Sequence, residues 1–225
     1  MHIAVTPSSA ARVDGRDAPV RVLFLGARLA SRDVLALCRR LLAQAGSTMH
    51  LDHIVSTGLS KVWNADGTVS AINLGWDLVL MIESAVRICA DPDRYASMVR
   101  VLSVAARAAG SRIALVEPPQ MPCAEDWRRT RRAVETAARA ANADIVPAGH
   151  AWRMALAVQP GLPLLTPRGR VTTLGAYLIA CTIAQFVSGE ALHALELPGV
   201  PGSDAALAHR AATDAVALNR TAMAC

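Results

Sequence analysis

The stretch VRVLFLG, residues Val20–Gly26, decides the fold that we predict for this chain. It is a short, almost continuously apolar run that ends at a glycine, which is typical of a strand buried on both faces of a parallel sheet. A helical pattern follows, with apolar side chains recurring every three or four residues from Val34 to Leu42. Ser31 is expected to cap this helix at its N-terminus. The two segments together predict the first half of a strand-helix-strand unit.

The same alternation of strands and helices continues along the chain. Further strands are predicted at residues 50–56, 76–82, 112–117 and 144–147, and further helices at 93–109, 125–141, 173–187 and 203–219. This order predicts an α/β fold, a three-layer, doubly wound, mostly parallel five-stranded sheet with helices on both faces, as in flavodoxin-like proteins. We therefore expect a flexible leader at residues 1–19 and a single domain at residues 20–225.

Composition and charge exclude several classes of protein. Hydrophobic residues make up 53% of the 225 residues, which excludes a disordered chain. The net charge of +5 comes from arginines, because Lys61 is the only lysine among the 23 cationic residues. Apart from a cluster at residues 128–132 these arginines are scattered, so we predict no nucleic-acid partner. The five cysteines are dispersed without metal-ligand spacing, which predicts reduced thiols, no metal and no cofactor.

The chain is expected to be cytoplasmic and to have no membrane partner. Residues 1–19 lack the continuous apolar segment of a secretory signal. The longest strongly apolar segment, Ala176–Val187, has about half the length that a membrane span requires. The Ala-rich C-terminal helix is expected to pack on its own domain, and the sequence leaves the oligomeric state open.

Candidate site residues follow from the position of the strands. Sheets of this class bind ligands outside the carboxyl ends of their strands, so the residues directly after each predicted strand are the ones to consider. These residues include Arg28, Gly58, Glu83, Ser84, Glu117 and His150.

Four segments of the chain share the order and spacing of a known superfamily. The segments are VLFLGARL (Val22–Leu29), GWDLVLMIES (Gly75–Ser84), IVPAGHAW (Ile145–Trp152) and TPRGRVTTLGAYLIAC (Thr166–Cys181). Over residues 20–189 the chain resembles the SGNH (GDSL-like) hydrolases, and most closely a bacterial subfamily of uncharacterised function. In that superfamily a Ser nucleophile follows the first strand, a His near the last loop takes its proton, and an Asp orients the His.

The resemblance implies that the triad positions are substituted in this chain. It places Arg28 at the nucleophile, Pro167 at the orienting Asp and Arg170 at the general base. Ile82 stands where an amide donor to the oxyanion is expected, and only the Gly58 position keeps a suitable backbone donor. Arginine stays protonated at physiological pH and can act neither as a nucleophile nor as a general base. The usual serine esterase activity is therefore not expected.

The residues that replace the triad predict another use of the crevice. Arg28 and Arg170, with Arg168 beside the latter, are expected to project into the same crevice, where guanidinium groups suit a carboxylate or a phosphate. In the alternative, Glu83 and Glu117 pair with these arginines and fill the crevice with structural ion pairs. The sequence leaves both alternatives open.

Two functional hypotheses follow. In the first, the protein is a pseudoenzyme whose crevice binds a small anionic or polar ligand. In the second, it is an enzyme with relocated chemistry that converts an ester, acyl or biosynthetic intermediate through Glu83, Glu117, His150 or the crevice arginines. Other residues lack a paired base in the sequence and are weaker nucleophile candidates: Ser31, Ser60, Ser84 and Cys123. A nucleotide-binding Rossmann domain is disfavoured, because the turn after Gly26 lacks further glycines.

Overall fold

A computed structural model describes residues 20–26, 32–44, 49–55, 58–63, 67–119, 124–190 and 192–223. Within these residues five strands form one sheet: β1 (Val20–Gly26), β2 (Met49–Val55), β3 (Leu78–Ile82), β4 (Arg112–Val116) and β5 (Asp144–Val146). Their order across the sheet is β2-β1-β3-β4-β5, and each neighbouring pair is parallel. The predicted α/β class with a five-stranded sheet is confirmed.

Helices cover both faces of this sheet. The described part of the chain contains α1 (Arg32–Gln44), α2 (Leu59–Trp63), α3 (Thr68–Ile72), α4 (Ala85–Ala90), α5 (Pro92–Ala108), α6 (Ala124–Ala141), α7 (Ala148–Val158), α8 (Thr173–Ser188) and α9 (Gly202–Met223). Alternate strand residues point to opposite faces, and they build two cores. One core holds α1, α7, α8 and α9, and the other holds α2 to α6, which gives the predicted three layers.

The predicted elements differ from the observed ones mainly where helices are short. The long helices α5, α6 and α8 lie within one residue of their predicted bounds, and α9 continues beyond its predicted end to Met223. The helices α2, α3 and α4 were not predicted, because each has only five or six residues and too few turns to establish a periodicity. The helix α7 was also missed, although its buried residues recur at helical spacing.

The helix α8 is deeply buried, with every residue from Leu174 to Gln185 in the core. It packs against α1 on one side and α9 on the other. The small residues of α9 face this contact, and Ala208, Ala212 and Ala215 are completely buried, so the C-terminal helix packs on its own domain as expected. No helix in the described part of the chain is both long and apolar enough to cross a membrane.

The end of β1 depends on a close approach between two strands. Gly26 has a φ of +136°, and a Cβ atom built there would lie 1.8 Å from the carbonyl oxygen of Ile82 in β3. Only glycine fits, because both its backbone conformation and its contact exclude a side chain.

We expect Gly26→Ala to lower the free energy of unfolding by at least about 2 kcal/mol, because the strands must separate or the backbone must become strained. Urea denaturation measures this change. Gly161→Ala is the matched control, since a Cβ atom at Gly161 meets nothing within 4 Å. Equal effects of the two substitutions would contradict the close approach.

His209 of α9 joins three parts of the second half of the chain. Its Nε2 atom lies 2.8 Å from the carbonyl oxygen of Leu192 and therefore carries the ring proton. Its Nδ1 atom lies 3.4 Å from the hydroxyl of Tyr177 and 3.6 Å from the Sγ atom of Cys181, both in α8. Burial lowers the pKa of His209 and outweighs the hydrogen bond to Leu192, which raises the pKa. The folded protein thus favours the neutral ring.

This preference predicts a pH-dependent stability. Below about pH 6.5 the unfolded chain binds the proton that the folded ring resists, so the free energy of unfolding falls as the pH is lowered through this range. His209→Gln is expected to reduce the difference in unfolding free energy between pH 7.5 and pH 5.5. The same substitution at the exposed His53 should leave that difference at the wild-type value, and an unchanged difference in His209→Gln would be evidence against a neutral buried ring.

Candidate functional site

The predicted site residues that the structure describes form three separate groups. The first comprises Gly58, Glu83 and Ser84 at the end of β3, and the second comprises Glu117 and His150 at the end of β4. The third comprises Arg168 and Arg170 in the turn before α8. Three predicted residues lie outside the described residues: Arg28, Ser31 and Cys123.

Glu83 follows β3 and is almost completely buried, at 6% exposure. Its Oε2 atom accepts a hydrogen bond from the backbone N–H of Leu59 at 2.8 Å, and its Oε1 atom accepts one from Ser84 at the same distance. These two N–H groups lie at the N-termini of α2 and α4. Backbone N–H groups at a helix N-terminus have no hydrogen-bond partner within the helix. The Glu83 carboxylate is therefore held by backbone donors, and the predicted pairing with an arginine is not among its described contacts.

Gly58 lies against this carboxylate. A Cβ atom at Gly58 would approach Glu83 Oε2 to 2.7 Å, so a larger residue here would displace the Glu83 side chain. The resemblance implies a donor to an oxyanion at Gly58, but a negative charge already occupies the adjacent space. A carboxylate beside this position would repel an oxyanion.

The serines near this strand end have structural roles or stand without a base. Ser84 caps α4, where its Oγ atom accepts a hydrogen bond from the backbone N–H of Arg87 at 3.4 Å. Ser60 lies with Glu83 on a small cavity of about 180 Å³. Neither hydroxyl contacts a histidine within the described residues, the kind of contact that activates a serine nucleophile.

Glu117 follows β4 and is also buried, with 4% of its side chain exposed. Its Oε2 atom accepts a hydrogen bond from the backbone N–H of His150 at 3.2 Å, and its Oε1 atom lies 2.9 Å from Nη2 of Arg153. In the alternative that the sequence leaves open, Glu83 and Glu117 pair with Arg28, Arg168 or Arg170. Among the described residues the arginine that pairs with Glu117 is Arg153, because α7 begins beside the end of β4 and carries this arginine.

The ring of His150 faces cations instead of a carboxylate. Its Nδ1 atom lies 3.3 Å from Nη1 of Arg131 in α6. Burial lowers the pKa of His150, Arg153 and Arg131 lower it further, and Glu117 opposes them. The imidazole is therefore neutral at pH 7 and accepts from Arg131. Because Glu117 binds the backbone of His150 and not its ring, the two residues do not form an oriented acid-base pair.

Sequence reasoning missed the arginines around Glu117. The guanidinium of Arg153 stacks on the ring of Trp127, with 4.3 Å between its Cζ atom and the ring centroid. Arg131, which belongs to the arginine cluster at residues 128–132, is half-buried and forms an ion pair of 2.7 Å with Glu135. The spacing of Ala148, Ala151, Trp152 and Ala155 could have predicted α7 and hence the position of Arg153.

The third group is a tight turn, Thr166–Arg170, where the resemblance places the Asp and His of the triad. The N–H of Thr166 donates to the carbonyl of Arg170 at 2.7 Å, and the N–H of Gly169 donates to the carbonyl of Thr166 at 2.8 Å. The N–H of Arg170 donates to Oγ1 of Thr166 at 3.1 Å. Gly169 has a φ of +70°, which suits glycine. The structure thus holds Arg168 and Arg170 on a closed turn.

This turn borders an open cavity of about 600 Å³. Arg168 and Arg170 are exposed, and neither forms an ion pair with another described residue. Thr172 and Thr173 line the same cavity, as does Asp33 from the first turn of α1. Two unpaired guanidinium groups beside hydroxyl groups can bind an anion.

Comparison with solved structures places this architecture in a known class. A protein from Slackia heliotrinireducens assigned to the SGNH hydrolases superposes with a TM-score of 0.62 and 23% sequence identity, covering 75% of this chain and 98% of the other. An esterase from Pseudoalteromonas sp. gives a TM-score of 0.59 and 13% identity, over 75% of this chain and 97% of the other. A catalytic mutant of an acetylxylan esterase from Geobacillus stearothermophilus gives 0.59 and 16%, over 75% and 95%.

These likenesses show that the chain has the fold of the SGNH hydrolases. The resemblance inferred from the four sequence segments is therefore confirmed for the fold. No protein-family profile matches the sequence, and no curated protein sequence matches it.

We expect Glu83→Gln to lower the free energy of unfolding by about 1–3 kcal/mol, because an amide nitrogen cannot accept the second backbone N–H. Glu196→Gln, at an exposed position, is the matched control and should have little effect. Chemical denaturation of both variants measures the difference. Wild-type stability in Glu83→Gln would contradict a structural role for this carboxylate.

Proposed function

We propose that the protein is a non-hydrolytic member of this fold class, a pseudoenzyme that binds a small anionic ligand in the cavity beside the Thr166–Arg170 turn. The observation that carries the proposal is the pair of exposed guanidinium groups, Arg168 and Arg170, on a closed turn beside a cavity of about 600 Å³. The volume is within the range of small-molecule sites.

The triad substitutions that the resemblance implies support a binding role. The resemblance aligns Pro167 with the orienting Asp and Arg170 with the general base, and neither side chain can accept a proton from a serine. The carboxylate of Glu83 beside Gly58 disfavours an oxyanion at the other side of the crevice. Removing a whole triad leaves a serine hydrolase only a small residual activity.

The lining of the cavity defines the ligand class. Guanidinium groups bind carboxylate or phosphate oxygens in a fork, and the threonine hydroxyls can donate to further oxygens. Asp33, on the same cavity, suits a hydroxyl or amino group of the ligand. A small molecule with one anionic group and one hydrogen-bond donor fits both requirements.

The alternative of relocated chemistry receives less support. It requires a carboxylate or histidine free to exchange protons with a substrate. Glu83 and Glu117 are buried and already held by backbone N–H groups. The ring of His150 accepts from Arg131, which leaves it poorly placed to take a proton.

The proposal predicts that the purified protein hydrolyses p-nitrophenyl acetate and acetylated sugars no faster than buffer. It also predicts no covalent labelling by a fluorophosphonate reagent, which reacts with activated serines. Turnover of any of these esters that is lost in Arg170→Ala would instead establish an enzyme with relocated chemistry.

Binding is measured by calorimetric titration with inorganic phosphate, sulfate and citrate. We expect at least one anion to bind and Arg170→Ala to weaken it about tenfold, since a charge-assisted hydrogen bond contributes about 1.5–3 kcal/mol. Arg210→Ala removes an exposed arginine of α9 and is the matched control for net charge. An equal loss of affinity in both variants would mean nonspecific electrostatic binding and would overturn the proposed site.

A further inference from the structure

The helices α5 and α6 lie side by side on one face of the sheet and run in the same direction. Just before α5 begins, the Sγ atom of Cys89 in α4 lies 3.0 Å from Oγ1 of Thr130 in the first half of α6. At the other end, Arg107 of α5 donates hydrogen bonds to the carbonyls of Ala141 and Asn142, where α6 ends. The two helices therefore present one continuous outer surface, on the side that faces away from the sheet.

This outer surface is rich in arginine. The buried side chains of α5, among them Val99, Leu102 and Ala106, recur at helical spacing and belong to the core. The opposite side of each helix is therefore turned to solvent. We call the exposed arginines on this side the cationic face: Arg100, Arg107, Arg128, Arg129, Arg132 and Arg139.

The described residues do not neutralise the cationic face. Their ion pairs involve Arg112, Arg131 and Arg153, and none involves an arginine of the cationic face. Of the carboxylates of α5 and α6 that the structure describes, Glu135 is paired with Arg131, and Asp93 lies in the first turn of α5. A surface with this excess of positive charge attracts a partner that carries many negative charges.

An exposed valine lies within the cationic face. Val104 is 65% exposed, and it follows Arg100 by four residues and precedes Arg107 by three, so the three side chains lie on one side of α5. A valine can donate no hydrogen bond to a nucleic-acid phosphate. At a lipid surface it leaves water for the boundary between headgroups and acyl chains, which is favourable. Arginines around an exposed apolar side chain therefore favour a lipid surface over a nucleic acid.

We propose that the cationic face binds the surface of a bilayer that contains anionic phospholipids. Its arginines lie against the negatively charged headgroups, and Val104 enters the boundary below them. The sequence predicts no membrane partner because no segment is long enough to span a bilayer, but a peripheral contact requires no such segment. The surface is distinct from the cavity beside the Thr166–Arg170 turn, since no residue of the cationic face lines that cavity.

The test is co-sedimentation of the full chain with sucrose-loaded vesicles. Vesicles of phosphatidylcholine and phosphatidylserine, in a ratio of about two to one, are compared with vesicles of phosphatidylcholine alone. At about 0.05 M NaCl we expect at least about tenfold tighter binding to the anionic vesicles, and at about 0.5 M NaCl we expect this difference to disappear because salt screens the charges. Equal binding to both kinds of vesicle at low salt, or binding to neither, overturns the proposal.

Two double variants assign the binding to the cationic face. Each arginine near an anionic bilayer contributes about fivefold to affinity, so Arg100→Gln/Arg132→Gln should weaken binding to the anionic vesicles at least about tenfold. The matched control is Arg40→Gln/Arg210→Gln, which removes the same charge from exposed arginines of α1 and α9. These helices cover the other face of the sheet, more than a Debye length of about 10 Å away, so the control should lose less than about threefold. Equal losses would mean nonspecific attraction to the net charge and would overturn the assignment.

A DNA duplex of about 20 base pairs, added as a competitor, distinguishes the two kinds of polyanion. At a phosphate concentration equal to that of phosphatidylserine, the duplex should leave most of the protein on the vesicles. Val104→Ser should weaken vesicle binding about threefold, because less apolar surface leaves water. Release of the protein by the duplex, or wild-type vesicle binding in Val104→Ser, overturns the assignment to lipid. Arg170→Ala should bind vesicles like the wild type, so the phosphate titration tests the other cavity separately.

Discussion

A single buried carboxylate organises the carboxyl edge of the sheet. Glu83 follows the last residue of β3. Its carboxylate accepts hydrogen bonds from the backbone at the start of α2 and at the start of α4. Burying a charged acceptor in a low-dielectric interior costs free energy unless hydrogen bonds compensate for the lost hydration. The N-termini of two short helices are thus bonded to one side chain. A side chain at Gly58 would displace this carboxylate, because the two positions are in contact.

The same interaction bears on function. In a hydrolase of this fold, the strand ends present donors to an oxyanion, and catalysis depends on those donors being free and aimed at the developing charge. Here the N–H groups of Leu59 and Ser84, which flank the Gly58 position, are bonded to a resident carboxylate. Under the proposed function, the ligand is instead bound by the side chains of the Thr166–Arg170 turn.

The sequence predicted the sheet and the long helices because their apolar patterns extend over many residues. It did not predict α2, α3 and α4, whose one or two turns give no periodicity. The site was predicted only in part. Glu83, Glu117 and the two turn arginines follow from their position after strands or before α8, but which charge pairs with which depends on where helices lie in space. Missing α7 therefore meant missing Arg153, the arginine that pairs with Glu117 among the described residues.

The Thr166–Arg170 turn is a closed unit. Its three internal hydrogen bonds are made among its own residues, and α8 begins with a separate cap at Thr172, whose Oγ1 atom accepts from Gly175. Residues 167 and 168 at its tip can therefore vary without disturbing the helix that carries the core. A turn closed in this way tolerates different side chains at its tip, so the proposed pair of arginines needs no change in the helix that follows. Because the backbone groups of the turn are already bonded to one another, binding the proposed anion would cost little conformational entropy.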